Sequence, residues 1–176
     1  MELLDVIRTS GGGEIVRTLA GRAGLDQSET EEALAALLPE LGRAIERAGR
    51  SRSGAAAVHA AMRDERYWRY LEQPATLAEP AADEDGERVL SEVLDEDDRG
   101  DLVRRVAAAI GPDEGEIRRL LPPVAALAMA ALGQRLRDPS PEIPWFGTRP
   151  DDRFEAPLLK ALAGLFGHRD DRSKKD

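Results

Sequence analysis

Apolar residues recur at three- and four-residue spacing along much of the chain, and their grouping predicts helices that come in pairs. Ile15, Val16, Leu19 and Ala23 fall at offsets of one, four and eight, which is a single stripe down one helix face. Leu102, Val103, Val106 and Ile110 repeat those offsets. The repetition extends beyond the stripe. GEIVRTLAGRAGLD at 13–26 aligns without a gap with GDLVRRVAAAIGPD at 100–113, and LLPEL aligns with LLPPV after a short deletion. Gly24 and Gly111 stand where a left-handed residue ends a helix. Asp26 and Asp113 then suit the next N-cap, with Glu29 and Glu116 three residues on completing a capping-box pattern. Each copy reads as helix, tight turn, helix.

The second helices of the two copies differ. In copy one, Leu34, Leu37, Leu38, Leu41 and Ile45 line one face and Glu31, Glu32, Arg43 and Arg47 the other. In copy two, LLPPVAALAMAALG at 120–133 is apolar all round, which predicts a central helix surrounded by others. It is shorter than the roughly 20 residues a membrane span requires. Pro39, Pro122 and Pro123 lack an amide hydrogen and are expected to kink or restart their helices, with a break after Leu121 where two prolines adjoin. Further helices are expected at 2–9, 55–64 (running on toward Leu71), 85–94 and 156–166. No stretch alternates apolar and polar residues between turn signals, so strand content is expected to be negligible. The fold class is all-α, a multihelical domain built from two related helix-turn-helix hairpins, with a Pro-rich arm and a C-terminal amphipathic helix. The domain covers 1–137, with repeat copies at about 13–48 and 100–136. A Pro-rich linker follows at 138–153, then the amphipathic helix and charged tail at 154–176.

Charge changes the picture at one place. The net charge is −9, and residues 76–101, with eleven acids and two bases, account for all of it. Such a stretch reads as a solvated acidic connector between the two copies. An acidic chain is not steered toward phosphate-rich surfaces. Cysteine is absent, which excludes disulfides and thiolate metal sites. The opening MELLDVIRTS has neither a basic start nor a long apolar run, so no signal peptide is apparent and a cytoplasmic location is expected.

Several separated segments, in order, resemble the YidB-like family of bacterial proteins. They are MELLDVI with GGG after it, AGLDQSETEEALAALLPEL, YLEQPATLAEPAADEDGERVLSEVL, and LVRRVAAAIGPDEGEIRRLLPPVAALAMAALGQRL, together covering roughly 1–136. The resemblance implies an all-α fold of short helices and brings no known activity or catalytic residues. The acids at 95–98 depart from the Gly and apolar residues such proteins often have there.

Candidate chemistry is sparse. The helix-turn-helix geometry suggests DNA binding, but the N-terminal ends of both second helices carry Asp26, Glu29, Glu31, Glu32 and Asp113, Glu114, Glu116, and carboxylates repel phosphates. Residues 95–106 approximate a calcium loop but place Arg99 and Val106 at ligand positions; a helix N-terminus accounts for these acids better. His59 and His168 are the two histidines, too few for a metal site. No nucleophile-elbow, zinc or phosphate-loop motif occurs, and no catalytic, cofactor or metal site is assigned.

Two apolar features remain as contact surfaces. Tyr67, Trp68 and Tyr70 lie beside Arg63, Arg66 and Arg69, a mixture common at interface hot spots. Leu158, Leu162 and Leu165, with Leu159 and Phe166, share a face of the helix beyond the Pro-rich segment. The reading is a non-catalytic interaction module whose partner is another protein or a second copy, with Trp68, Tyr70, Leu158, Leu162 and Phe166 as contacts. Nucleic-acid binding through Arg104, Arg105, Arg118 and Arg119 is the rival, and an enzyme with an unmarked site is the second. Membrane contact is disfavoured, because Lys160 is the single cation within 156–167.

Overall fold

The computed structural model of the chain describes residue 7 and residues 13–137. Among these residues there is helix and no strand, so the all-α expectation is met. The order is α1 (Glu14–Ala23), α2 (Gln27–Ala48), α3 (Arg52–Arg63), α4 (Glu65–Glu72), a 3-10 turn (Pro74–Ala78), α5 (Pro80–Val93), α6 (Glu96–Ile110) and α7 (Glu114–Arg137). The expected helices at 2–9 and 156–166, the Pro-rich linker and the tail lie outside the described residues.

Local chemistry sets the helix ends. α1 stops at Gly24, whose φ of 85° is a conformation side chains disfavour, and its amide bonds back to the Ala20 carbonyl. Asp26 then caps α2 in a reciprocal box with Glu29, at 2.8 and 2.9 Å. Gly111 ends α6 with φ of 100°, and Asp113 exchanges the same pair of bonds with Glu116, at 3.1 and 2.9 Å. Thr30, a polar residue at a core position, is fully buried and donates its hydroxyl to the Asp26 carbonyl at 2.7 Å. Asp95 caps α6, with Glu96, Asp97 and Asp98 in the first turn where the macrodipole favours them.

α7 is the centre of the molecule. Every residue from Leu120 to Gly133 is buried, and α7 packs against each of the other six α-helices among the described residues. The break expected after Leu121 does not occur; α7 runs unbroken through Pro122 and Pro123. Two prolines deprive the carbonyls of Arg118 and Arg119 of their helical donors, at about 0.5–1.5 kcal/mol for each net hydrogen bond. Both arginines are exposed, so water can reach their backbone. Burying Leu120, Leu121, Val124 and Leu127 stabilises by roughly 1.5–3 kcal/mol per side chain, which outweighs that loss. α2 likewise continues through Pro39.

The acidic stretch at 76–101 is not a solvated connector. It forms the 3-10 turn, α5 and the start of α6, and it buries Leu77, Ala82, Asp85, Val89, Leu90 and Leu94. Its acids lie mostly on the outer face, so average composition concealed an amphipathic helix. The helix expected at 55–64 and beyond is divided at Asp64, which closes α3 and caps α4 by accepting from the Arg66 amide at 3.0 Å. No helix among the described residues is long and apolar enough to cross a membrane.

α5 and α7 meet backbone to backbone. A methyl group at Gly86 would lie 1.8 Å from the Pro122 carbonyl oxygen, with two further Pro122 backbone atoms within 3 Å. Gly86→Ala is therefore expected to destabilise the fold by roughly 3 kcal/mol, the upper end for overpacking. Gly100→Ala, whose methyl would meet nothing nearer than the end of Arg104 at 4.0 Å, should stabilise by about 0.5–1 kcal/mol through helix propensity. Urea unfolding of the two variants beside the parent chain reads both; equal stability of Gly86→Ala and parent would contradict the close approach.

Candidate functional site

The aromatic and arginine run at 63–70 spans the end of α3 and most of α4, and the helical turn sorts its side chains into two groups. Tyr67 and Tyr70, three residues apart, face inward at 4% and 0% exposure. Trp68 points toward the end of α7 and is half-buried. Tyr70 thus gives up the surface role expected for it, because no part of it is open to a partner. The reason is a residue not singled out in the sequence, Asp85 of α5.

Asp85 is 6% exposed, and its carboxylate is engaged on both oxygens. Oδ2 accepts from the Tyr70 hydroxyl at 2.7 Å and from Arg69 Nη2 at 3.0 Å. Oδ1 faces Arg66 Nη1 at 3.7 Å and Arg88 Nη1 at 3.8 Å. The Tyr67 hydroxyl contacts the Asp85 carbonyl at 3.4 Å, and Arg69 Nη2 donates to the Tyr70 oxygen at 2.8 Å. The Arg69 guanidinium also lies over the Tyr70 ring, 4.9 Å from its centre. A buried carboxylate is tolerable only when paired and hydrogen-bonded, and this one is both.

The electrostatics follow from this packing. Burial, then the hydrogen bond to Asp85, pushes the Tyr70 hydroxyl up to about 12. Tyr67 is raised by burial and by the Asp85 charge. Arg69 is held further into its charged form, first by its bond to Tyr70. At Asp64 burial works upward, but the Arg66 amide and guanidinium overcome it and bring the carboxyl below its usual value. A phenol that resists ionisation is a poor proton donor, and here it serves as a hydrogen-bond donor instead. The Asp85 cluster is suited to holding α4 on α5.

Trp68 is different. Its indole Nε1–H is shielded from solvent and has no acceptor among the described residues, a loss of about 1–3 kcal/mol for a buried donor. It lies against Gly133, where a methyl group would approach Nε1 to 3.2 Å and the Met62 carbonyl oxygen to 2.3 Å. The Arg137 guanidinium stacks on the ring, 3.7 Å from its centre. Trp68 is therefore a partly open aromatic at the point where the described chain ends. The other expected contacts, Leu158, Leu162 and Phe166, lie outside the described residues.

The rival set of arginines is dispersed. Arg119 donates Nε and Nη2 to the Ala23 carbonyl at 3.3 and 2.9 Å, closing the end of α1. Arg104 pairs with Asp101, and Arg105 reaches Glu40 at 3.4 Å. Arg118 is exposed. His59 is half-buried on α3, and among the described residues no group of His, Cys, Asp or Glu could hold a metal ion.

Stability should fall in alkali through Tyr70. Its folded value of about 12 lies above the ordinary 10, so its contribution is complete below about pH 10 and is lost as pH rises toward 12. Tyr70→Phe should cost about 1–2 kcal/mol at pH 7 and flatten the loss above pH 10, read by urea midpoints across pH. Asp85→Ala should cost somewhat more, about 2–3 kcal/mol, because it removes the charged acceptor that Tyr70 and Arg69 share and leaves Tyr70 only the Ala81 carbonyl at 3.2 Å.

No curated protein and no solved structure matches the chain. Residues 5–135 match the family described as bacterial protein of unknown function (DUF937), to which YidB itself belongs, in agreement with the YidB-like motifs. The chain belongs to that bacterial family.

Proposed function

We propose that this protein is a non-catalytic helical interaction module of the cytoplasm, binding another protein or a second copy of itself. The observation that carries the reading is Trp68, a half-buried aromatic whose shielded donor has no acceptor among the described residues, stacked by Arg137 at the root of the Pro-rich arm. Trp and Arg dominate interface energetics because each removes a large area from water while keeping a directional polar group. The contact set is Trp68 on the helical domain with Leu158, Leu162 and Phe166 on the arm; Tyr70 leaves the set because it is buried. An amphipathic helix on a Pro-rich tether can lay its apolar face in a partner's groove while the domain supplies a second contact, and two linked contacts bind more tightly than either alone.

The reading needs a domain that stands without the arm, and the core from Ile15 to Leu132 lies within the described residues. A chain ending at Arg137 should keep its helical circular-dichroism spectrum and lose association in light scattering and in pull-down from nuclease-treated lysate. Trp68→Ala in the full chain should weaken capture by at least 10-fold, the size of an interface hot spot. Association unchanged by both alterations would overturn the proposal, and loss of helix on truncation would make the arm part of the core instead.

A further inference from the structure

One face of the Trp68 ring already carries a cation, the Arg137 guanidinium, 3.7 Å from its centre. The Nε1 edge is shielded and turned against Gly133, so the ring offers a partner its π surface rather than its N–H. Arg137 is exposed at the last position of α7 and makes no ion pair among the described residues. Glu65 and Glu72 stand three residues before Trp68 and four after it, which puts both carboxylates on its face of α4. Both are exposed, and neither makes an ion pair among the described residues. The arginines of α4 are engaged elsewhere, Arg66 with Asp64 at 2.7 Å and Arg69 with Asp85 at 3.0 Å. On the packed neighbours, Arg135 lies round α7 from Gly133, and Arg63 is exposed at the end of α3. Two open carboxylates thus flank an aromatic ring on which an arginine is stacked.

We infer that Trp68, Glu65 and Glu72 form a receptor site for an arginine of a basic partner segment, with Arg137 as its stand-in in the free protein. The inference rests on the interaction-module reading for the existence of a partner and adds that partner's chemistry. A ring quadrupole attracts a guanidinium over its face, most strongly for Trp, and the planar group also stacks there. Arg137 supplies that geometry but leaves both carboxylates unpaired. An arginine from a partner keeps the stack, and the other cations of its segment reach Glu65 and Glu72 in charge-assisted hydrogen bonds. Arg63 opposes the approach, but the two carboxylates outnumber it once Arg137 has swung away. At longer range the net charge of −9 draws a basic segment toward the chain.

The probe is a fluorescein-labelled hexa-arginine peptide, followed by anisotropy with the full chain at about 0.15 M salt, where distant exposed charges are largely screened. Glu65→Gln with Glu72→Gln should weaken binding roughly fivefold. Glu32→Gln with Glu92→Gln, exposed carboxylates on α2 and α5, should change it by less than about twofold. Trp68→Leu, which keeps an apolar side chain and removes the ring, should weaken it roughly 10-fold. Arg137→Ala should tighten binding roughly threefold, because nothing then has to leave the ring. Arg118→Ala, which removes the same charge from another exposed position, should change it by less than about twofold. Every position but Trp68 is exposed, and circular dichroism checks that each variant is folded. Equal losses from the two carboxylate pairs would overturn the inference, as would weaker binding by Arg137→Ala or unchanged binding by Trp68→Leu. Should the peptide not bind while Trp68→Ala still loses capture from lysate, the arginine site falls and the interaction-module reading stands.

Discussion

Fourteen consecutive residues of α7 carry no polar side chain, and the rest of the described structure is arranged around covering them. A helix apolar on one stripe can lie on a surface; one apolar all round must be enclosed. Enclosure takes the six other α-helices of the described residues, each of which presents only one apolar face. The requirement also explains why small residues crowd this helix. Ala125, Ala126, Ala128, Ala130 and Ala131 are all buried, and they let neighbouring helices approach closely where larger residues would hold them apart. At Gly86 and Gly133 the approach is closest, with a carbonyl of the opposing backbone where a side chain would otherwise stand.

Asp85 makes the opposite demand on the same core. α5 puts it on the stripe of Ala82, Gly86, Val89 and Leu90, where a hydrophobic residue would pack without desolvating a charge. Replacing a buried ion pair by apolar residues is often neutral or stabilising, so net stability is a poor explanation for this carboxylate. What it supplies is direction. A hydrophobic contact between α4 and α5 tolerates sliding, whereas a carboxylate that must meet the Tyr70 hydroxyl and the Arg69 guanidinium fixes the rotation of α4 about its own axis. That rotation turns Trp68 away from α5 and toward the end of α7.

How much of this was legible in the sequence depended on the range of the interaction. Gly24, Asp26 with Glu29, Gly111 and Asp113 with Glu116 act within a few residues, and their spacing alone identified the helix ends. The surrounded character of α7 was legible because it needs no knowledge of the neighbours. The acidic stretch was misread because charge was averaged over 76–101, which erased the three- and four-residue period; Asp85 on the apolar stripe was the available signal. The Pro122–Pro123 step was misread because local propensity was weighed without the burial on either side. Arg137 on Trp68 joins residues 69 positions apart, and no local pattern marks such a pair.

The position of α7 along the chain has a kinetic consequence. The element that completes the core is the last helix of the described residues, and Arg119 within it closes α1 from 96 positions away. Contacts of such long separation form slowly, because the intervening chain must be ordered before they can reward it. During synthesis, α1 to α6 emerge with their apolar faces in place and nothing central to bury them against. They can sample helix but not a finished core until α7 is made, and an incomplete core is where chains aggregate. The acidic outer face of α5 and the acidic first turn of α6 then favour solubility of the unfinished domain, since like-charged surfaces repel before they can adhere.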